Sequence, residues 1–213
     1  MDFKDLKTRD PLQRHVEKGL EEGELSPMDP PDAYAPPHLE AVAYDKMHPY
    51  LQKLMDEHTI FKKELDCFEK TLIEIQSQGI QKETDRNLRD FFHFFDHQIL
   101  PHGQKEDKFL FPLLHQRLLE NKEHGHGAEK ITVVDILEDD HVKMIQIASV
   151  VFNFLGLAVR LPNPPSRLMV LDAALEQGKA LVELLRLHIF REDCIVFPLA
   201  NKYIDSGEFF NFS

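Results

Sequence analysis

Residues 102–113 read HGQKEDKFLFPL, and residues 188–199 read HIFREDCIVFPL. Six of the twelve positions coincide: the His, Glu, Asp, Phe, Pro and final Leu. Upstream of the first copy stands LMDEH, ending at His58, and upstream of the second stands LEDDH, ending at His141. The step from His58 to His102 is 44 residues, and that from His141 to His188 is 47. Each half of the chain thus carries a lone histidine and then, one helix later, His-x-x-x-Glu. A duplication of this kind marks two copies of one supersecondary unit.

Apolar residues around these motifs recur at three- and four-residue steps, which is the helical period. Leu51, Leu54, Met55, Phe61, Leu65, Phe68, Leu72 and Ile75 predict a first helix over about 49–78, with Gly79 ending it. A second is expected over about 84–121, with Thr84 or Asp85 as its cap. A third is expected over about 131–160, stopped by LPNPP, and a fourth over about 165–204. Phe91, Phe92, Phe94 and Phe95 read as core. Long helices joined by short connections predict an all-α, antiparallel up-down-up-down four-helix bundle. The prolines of 27–37 exclude regular helix there. Residues 1–45 therefore read as an irregular N-terminal arm, with a short helix about Leu12–Leu20. The bundle is expected over 46–205 and a tail over 206–213.

Residues i and i+4 lie about 40° apart around a helix. His102 and Glu106 share a face, as do His188 and Glu192. With His58 and His141 at similar depth, four imidazoles and two carboxylates converge on the bundle core. Buried carboxylates are costly unless paired or coordinated. This set suits two metal ions, each taking two imidazoles, with Glu106 and Glu192 bridging. Imidazole with carboxylate suits iron, and manganese and zinc are compatible with it.

At these residues the chain resembles the hemerythrin-like (HHE cation-binding) family over roughly 45–205. The order His, His-x-x-x-Glu, His, His-x-x-x-Glu is that of its bacterial members, and Phe111-Pro112 and Phe197-Pro198 follow a habit of the family. The resemblance implies a non-haem di-iron centre with an oxo or hydroxo bridge. By that resemblance the ligands are His58, His102, Glu106, His141, His188 and Glu192, with both glutamates bridging. Oxygen-carrying members use a fifth histidine, but position 145 here is Ile. Both irons are thus left open, which argues against simple carriage.

The net charge of -12 argues against nucleic acid or an anionic membrane as partner. The longest apolar stretch, about Ile145 to Val159, is interrupted by Asn153 and reads as a buried helix. Two cysteines exclude a disulfide framework and point to a reducing, cytoplasmic setting. Cys67 and Cys194 read as buried thiols. His97 lies about 140° from His102 on a straight helix and faces elsewhere, as does His93. Asp107 and Asp193 read as solvated or packing carboxylates rather than acceptors for a ligand histidine, and Glu57 and Asp140 likewise. His124 and His126 fall in an exposed loop, and no spacing ties Tyr44 or Tyr50 to the centre.

The expected function is binding of, or reaction with, a small oxidant (oxygen, peroxide or nitric oxide) in sensing or stress protection. Iron storage, delivery or sensing is the alternative. A zinc or manganese oxidase or hydrolase ranks last, since no catalytic residue set stands out. A protein partner and a homo-oligomer are left open.

Overall fold

The computed structural model describes residues 42–125 and 130–209. The expected N-terminal helix and proline-rich arm lie outside the described residues. After a 3-10 turn at Tyr44–Lys46, four long helices follow. Helix α1 is Pro49–Gln78. Helix α2 spans 82–120, and is built of α-helical pieces Lys82–Phe94, Leu100–Lys105 and Phe111–Glu120 joined by π turns at Phe95–Ile99 and Glu106–Leu110. Helix α3 is Val133–Arg160. Helix α4 spans 164–203, with a π turn at Glu192–Val196 between Pro164–Arg191 and Phe197–Tyr203.

Local chemistry sets most of these limits. Pro49 opens α1, where a missing N–H costs nothing. Gly79, at φ 73°, closes it and donates its N–H to the Ile75 carbonyl at 2.8 Å. Helix α2 starts earlier than expected. Gln81 is its cap, and Thr84, three residues in, accepts the Gln81 N–H at 2.9 Å. Thr84 therefore acts in the cap without being the cap residue. Thr132 caps α3, accepting the Val134 N–H while Asp135 accepts its own. Asn163 caps α4 through the Ser166 N–H.

Cross-helix contacts fix the direction of each neighbour. Phe61 meets Phe94, and Phe68 meets Phe91, so α1 and α2 are antiparallel. Asp107 with His141 and Phe92 with Phe152 give the same for α2 and α3. Lys62 with Asp193 and Gln76 with Lys179 give it for α1 and α4. The result is the expected antiparallel four-helix bundle.

The apolar core comes in two blocks. One gathers Phe61, Phe68, Phe91, Met144 and Leu185 with their neighbours. The other gathers Leu51, Leu54, Phe111, Leu137, Phe197 and the tail residue Phe209. Phe209 stacks on His48 with ring centroids 4.3 Å apart, and Glu208 pairs with Arg117, so the tail closes that end. The polar motif residues form the layer between the blocks. Phe68 is 1% exposed and lies face to face with Phe91 at 3.7 Å. Phe68→Ala is expected to cost about 3–5 kcal/mol. At ~2–4 °C per kcal/mol for a chain of this size, thermal unfolding by circular dichroism checks it.

Helix α3 departs from the buried-helix expectation. By length and composition it is apolar enough to cross a membrane, yet only 28% of its most apolar stretch is buried. Leu137, Met144, Ala148, Val151 and Leu155 form its inward stripe. Phe152 and Val159 point outward, exposed by 61% and 65%. A period of 3.6 allows only one stripe to face the core.

Candidate metal centre

Each predicted ligand sits one helical turn from a core residue on its own helix. His58 lies between Leu54 and Phe61, and Glu192 between Ile189 and Val196, so folding the stripes inward carries the polar groups with them. Glu106 and Glu192 are both fully buried, and none of their four carboxylate oxygens has a hydrogen-bond partner. An orphaned buried carboxylate costs several kcal/mol. Four such oxygens in one layer call for a cation.

The imidazoles make the same demand. Nδ1 of His58 donates to Asp193 at 2.7 Å, Nδ1 of His102 to Glu57 at 2.7 Å, and Nδ1 of His141 to Asp107 at 2.7 Å. Nδ1 of His188 faces Asp140 at 3.8 Å, too long for a hydrogen bond, and Arg191 holds that carboxylate at 2.7 Å. A proton on Nδ1 of His58, His102 and His141 leaves their Nε2 atoms, turned toward the centre, as the remaining metal donors. Yet Nε2 of His58 lies 3.0 Å from Nε2 of His102, and His141 and His188 meet the same way at 3.1 Å. Two imidazole nitrogens at that distance need a positive charge between them, a shared proton in the metal-free chain or a metal ion that takes both. Two imidazole nitrogens each ~2.1 Å from one ion at a right angle are about 3.0 Å apart.

The carboxylates link the two pairs. Glu106 places one oxygen 3.4 Å from His102 and the other 3.7 Å from His141. Glu192 places one oxygen 3.0 Å from His188 and the other 3.2 Å from His58. Two groups able to take a metal ion result, His58/His102/Glu106/Glu192 and Glu106/His141/His188/Glu192, each with its donor atoms within 4.8 Å. The hemerythrin HHE cation-binding domain model matches residues 50–200. The chain belongs to the hemerythrin HHE cation-binding family. No curated protein and no solved structure matches it. The family binds cations, and the donor set and the orphaned oxygens here fit that role.

Electrostatics in the metal-free chain follow from the crowding. Burial and the charge of Glu192 raise the Glu106 carboxyl above its usual range. Burial acts on Glu192 too, but His188 and His58 outweigh it and hold Glu192 well below that range. Burial opposes charging of His102 and His188, yet the carboxylates push them up to about 10 and about 9. Tyr50 is half-buried, and burial with the charges of Glu106 and Glu57 pushes its phenol up to about 12. Tyr44 is exposed and bonds Asp56.

Several expectations are corrected by this hemerythrin-family site. Asp107 and Asp193 are not merely solvated carboxylates, because each accepts an imidazole N–H. Glu57 does so too. Support crosses between the halves: Asp193 of the second serves His58 of the first, and Asp107 of the first serves His141 of the second. The repeated phenylalanines cross likewise. Phe197 stacks on His58 with centroids 5.5 Å apart, and Phe111 on His141 at 5.6 Å. Sequence reading missed these rings, though their place in the duplication was the signal. Glu106 and Glu192 each open a π turn, their carbonyls accepting from Phe111 and Phe197. Pro112 and Pro198 follow at once, so the wider turn absorbs the proline and aims the phenylalanine inward.

Cys67 and Cys194 are exposed, not buried. Cys194 lies two residues from Glu192, about 200° around a helix and so on the outer side. His93 and His97 are exposed and stack on each other at 4.1 Å, away from the centre as expected. His124 is half-buried rather than exposed and donates to the Gly125 carbonyl, while His126 lies outside the described residues.

Residues behind a metal-bound histidine typically hold 10–100-fold in affinity. Asp193→Asn is expected to weaken ferrous binding by about that factor, with helical content unchanged. A competition titration against a ferrous chelator measures it.

Proposed function

We propose that the chain holds two iron ions, one between His58 and His102 and one between His141 and His188, with Glu106 and Glu192 joining both. In that state it binds or reacts with a small uncharged oxidant, dioxygen or nitric oxide, in sensing or stress protection. What supports this reading is a cavity of about 90 Å³ that touches all four histidines. Most of its other walls are apolar, with Phe61, Phe95, Ile99, Met144, Leu185 and Ile189 among them, and Gln104, Asp107 and Glu192 add the polar groups. Such a chamber admits a few atoms and offers few partners to a strongly hydrated ligand, because mostly apolar walls repay little of its lost hydration. It suits dioxygen and nitric oxide, which shed almost no hydrogen bonds on entering. Imidazole and carboxylate donors suit ferrous ions and leave coordination positions free. Iron held there would supply the electrons for reaction with a diatomic ligand. The chain's own residues keep the ligands fixed, line most of the chamber with apolar groups and hold a proton on Nδ1 of His58, His102 and His141.

The test is an anaerobic ferrous titration followed by oxygen or nitric oxide. Uptake of two irons per chain is expected, with a near-ultraviolet charge-transfer absorption rising on oxidation in proportion to iron. A chain that takes up no iron would end this reading. Iron that is bound but unmoved by either gas, and passes readily to an apo acceptor, would favour delivery or storage instead.

A further inference from the structure

The four imidazoles are not supported equally. Asp193 is tethered by Lys62 at 2.8 Å, Glu57 by Lys105 at 3.3 Å and Asp140 by Arg191 at 2.7 Å. Among the described residues no lysine or arginine pairs with Asp107, the carboxylate behind His141. Asp107 is also the most open of the four, its side chain 43% exposed against 16% for Asp193. His141 follows it at 12%, while His58, His102 and His188 stand at 1–5%.

The cavity at the centre opens toward the same corner. Gly103, Gln104 and Asp107 of α2 and Ile145 of α3 line it, and of these Gln104, Asp107 and Ile145 are exposed. Gly103 is buried, and a Cβ there would lie 3.0 Å from His141 Nε2. The absent side chain leaves the space in which the His141 ring sits beside the opening.

We infer that the two ion positions are unequal, and that the His141/His188 position is the exchangeable one, reached by ions and small ligands between α2 and α3. Asp107 is its positioning residue, an anchor that no cation holds in place. This inference rests on the two-ion reading above. The His58/His102 position is supported more firmly: both its carboxylates bond their imidazoles at 2.7 Å and are tethered, and both rings are buried, whereas Asp107 is untethered, His141 is partly exposed and Asp140 stands 3.8 Å from His188.

The experiment loads the full chain anaerobically with two ferrous ions and challenges it with excess chromogenic ferrous chelator in a stopped-flow instrument. Two release phases of equal amplitude are expected, the faster leading by about tenfold or more. Asp107→Asn should accelerate the fast phase by ~10–100-fold and leave the slow phase in place. Asp193→Asn should accelerate the slow phase. Ile145→Trp, at an exposed position on the rim, should slow the fast phase without lowering the loading. A merely structural role for Asp107 would move both phases together, and that result overturns the inference. Two ions released in a single phase overturn it while leaving the two-ion reading standing. Loading of fewer than two ions overturns both.

Discussion

Glu106→Gln is expected to yield a chain that no longer holds two ions. The substitution preserves size and burial, so the bundle survives. It removes the negative charge and one of two anionic oxygens that face both histidine pairs, 3.4 Å from His102 and 3.7 Å from His141. A residue behind one ligand holds about 10–100-fold in affinity. Glu106 faces both positions directly, so its loss should exceed that on each. Two dications would then share the single carboxylate of Glu192, and their mutual repulsion acts at short range in a poorly solvated layer. Anaerobic titration with elemental analysis should find at most one ion per chain, bound more than ~100-fold more weakly. Two ions retained at near-original affinity would remove Glu106 from the centre.

The second large effect concerns stability without metal. Glu106→Leu is expected to stabilise the metal-free protein by about 1–3 kcal/mol. The Glu106 carboxyl is fully buried without a hydrogen bond, and burial with the charge of Glu192 raises it, whereas Glu192 is held low by His188 and His58 and is left in place. Leucine at position 106 extends the apolar blocks toward each other. At ~2–4 °C per kcal/mol, the midpoint should rise by roughly 2–12 °C. The original chain should gain instead from ferrous iron, by about 4 kcal/mol per ion at a thousandfold excess over its dissociation constant. Calorimetry with and without metal separates the two: the variant should gain far less from iron than the original. A metal-free variant less stable than the original would mean that the Glu106 carboxyl helps the fold on its own.

The helices were legible because apolar spacing along 49–78 or 133–160 leaves one period to choose. The six histidines and glutamates were legible because the duplication sets them in matching places. What stayed hidden depends on which helices become neighbours. Asp107 and Asp193 each stand one residue past an inward glutamate, and a single helix assigns them to its flank. Only when α3 lies beside α2, and α1 beside α4, does that flank meet His141 and His58. The π turns were hidden for another reason. They differ from α-helix by one step in hydrogen-bond register, and the prolines at 101, 112 and 198, each two residues past a π turn, were the local sign. The outer face of α3 misled because a mostly apolar composition says how much can be buried, not how much the partners cover.

The crossing of supports has a consequence for how the protein can be divided. A fragment ending in the loop near residue 125 holds both imidazoles of its own pair, yet the carboxylate and the aromatic ring that steady His58 remain on the missing piece. Neither fragment is self-sufficient. Two copies of the same fragment, related by a twofold axis, would exchange those groups and satisfy each other. The single chain thus has the bonding logic of a symmetric dimer whose two subunits have been fused end to end.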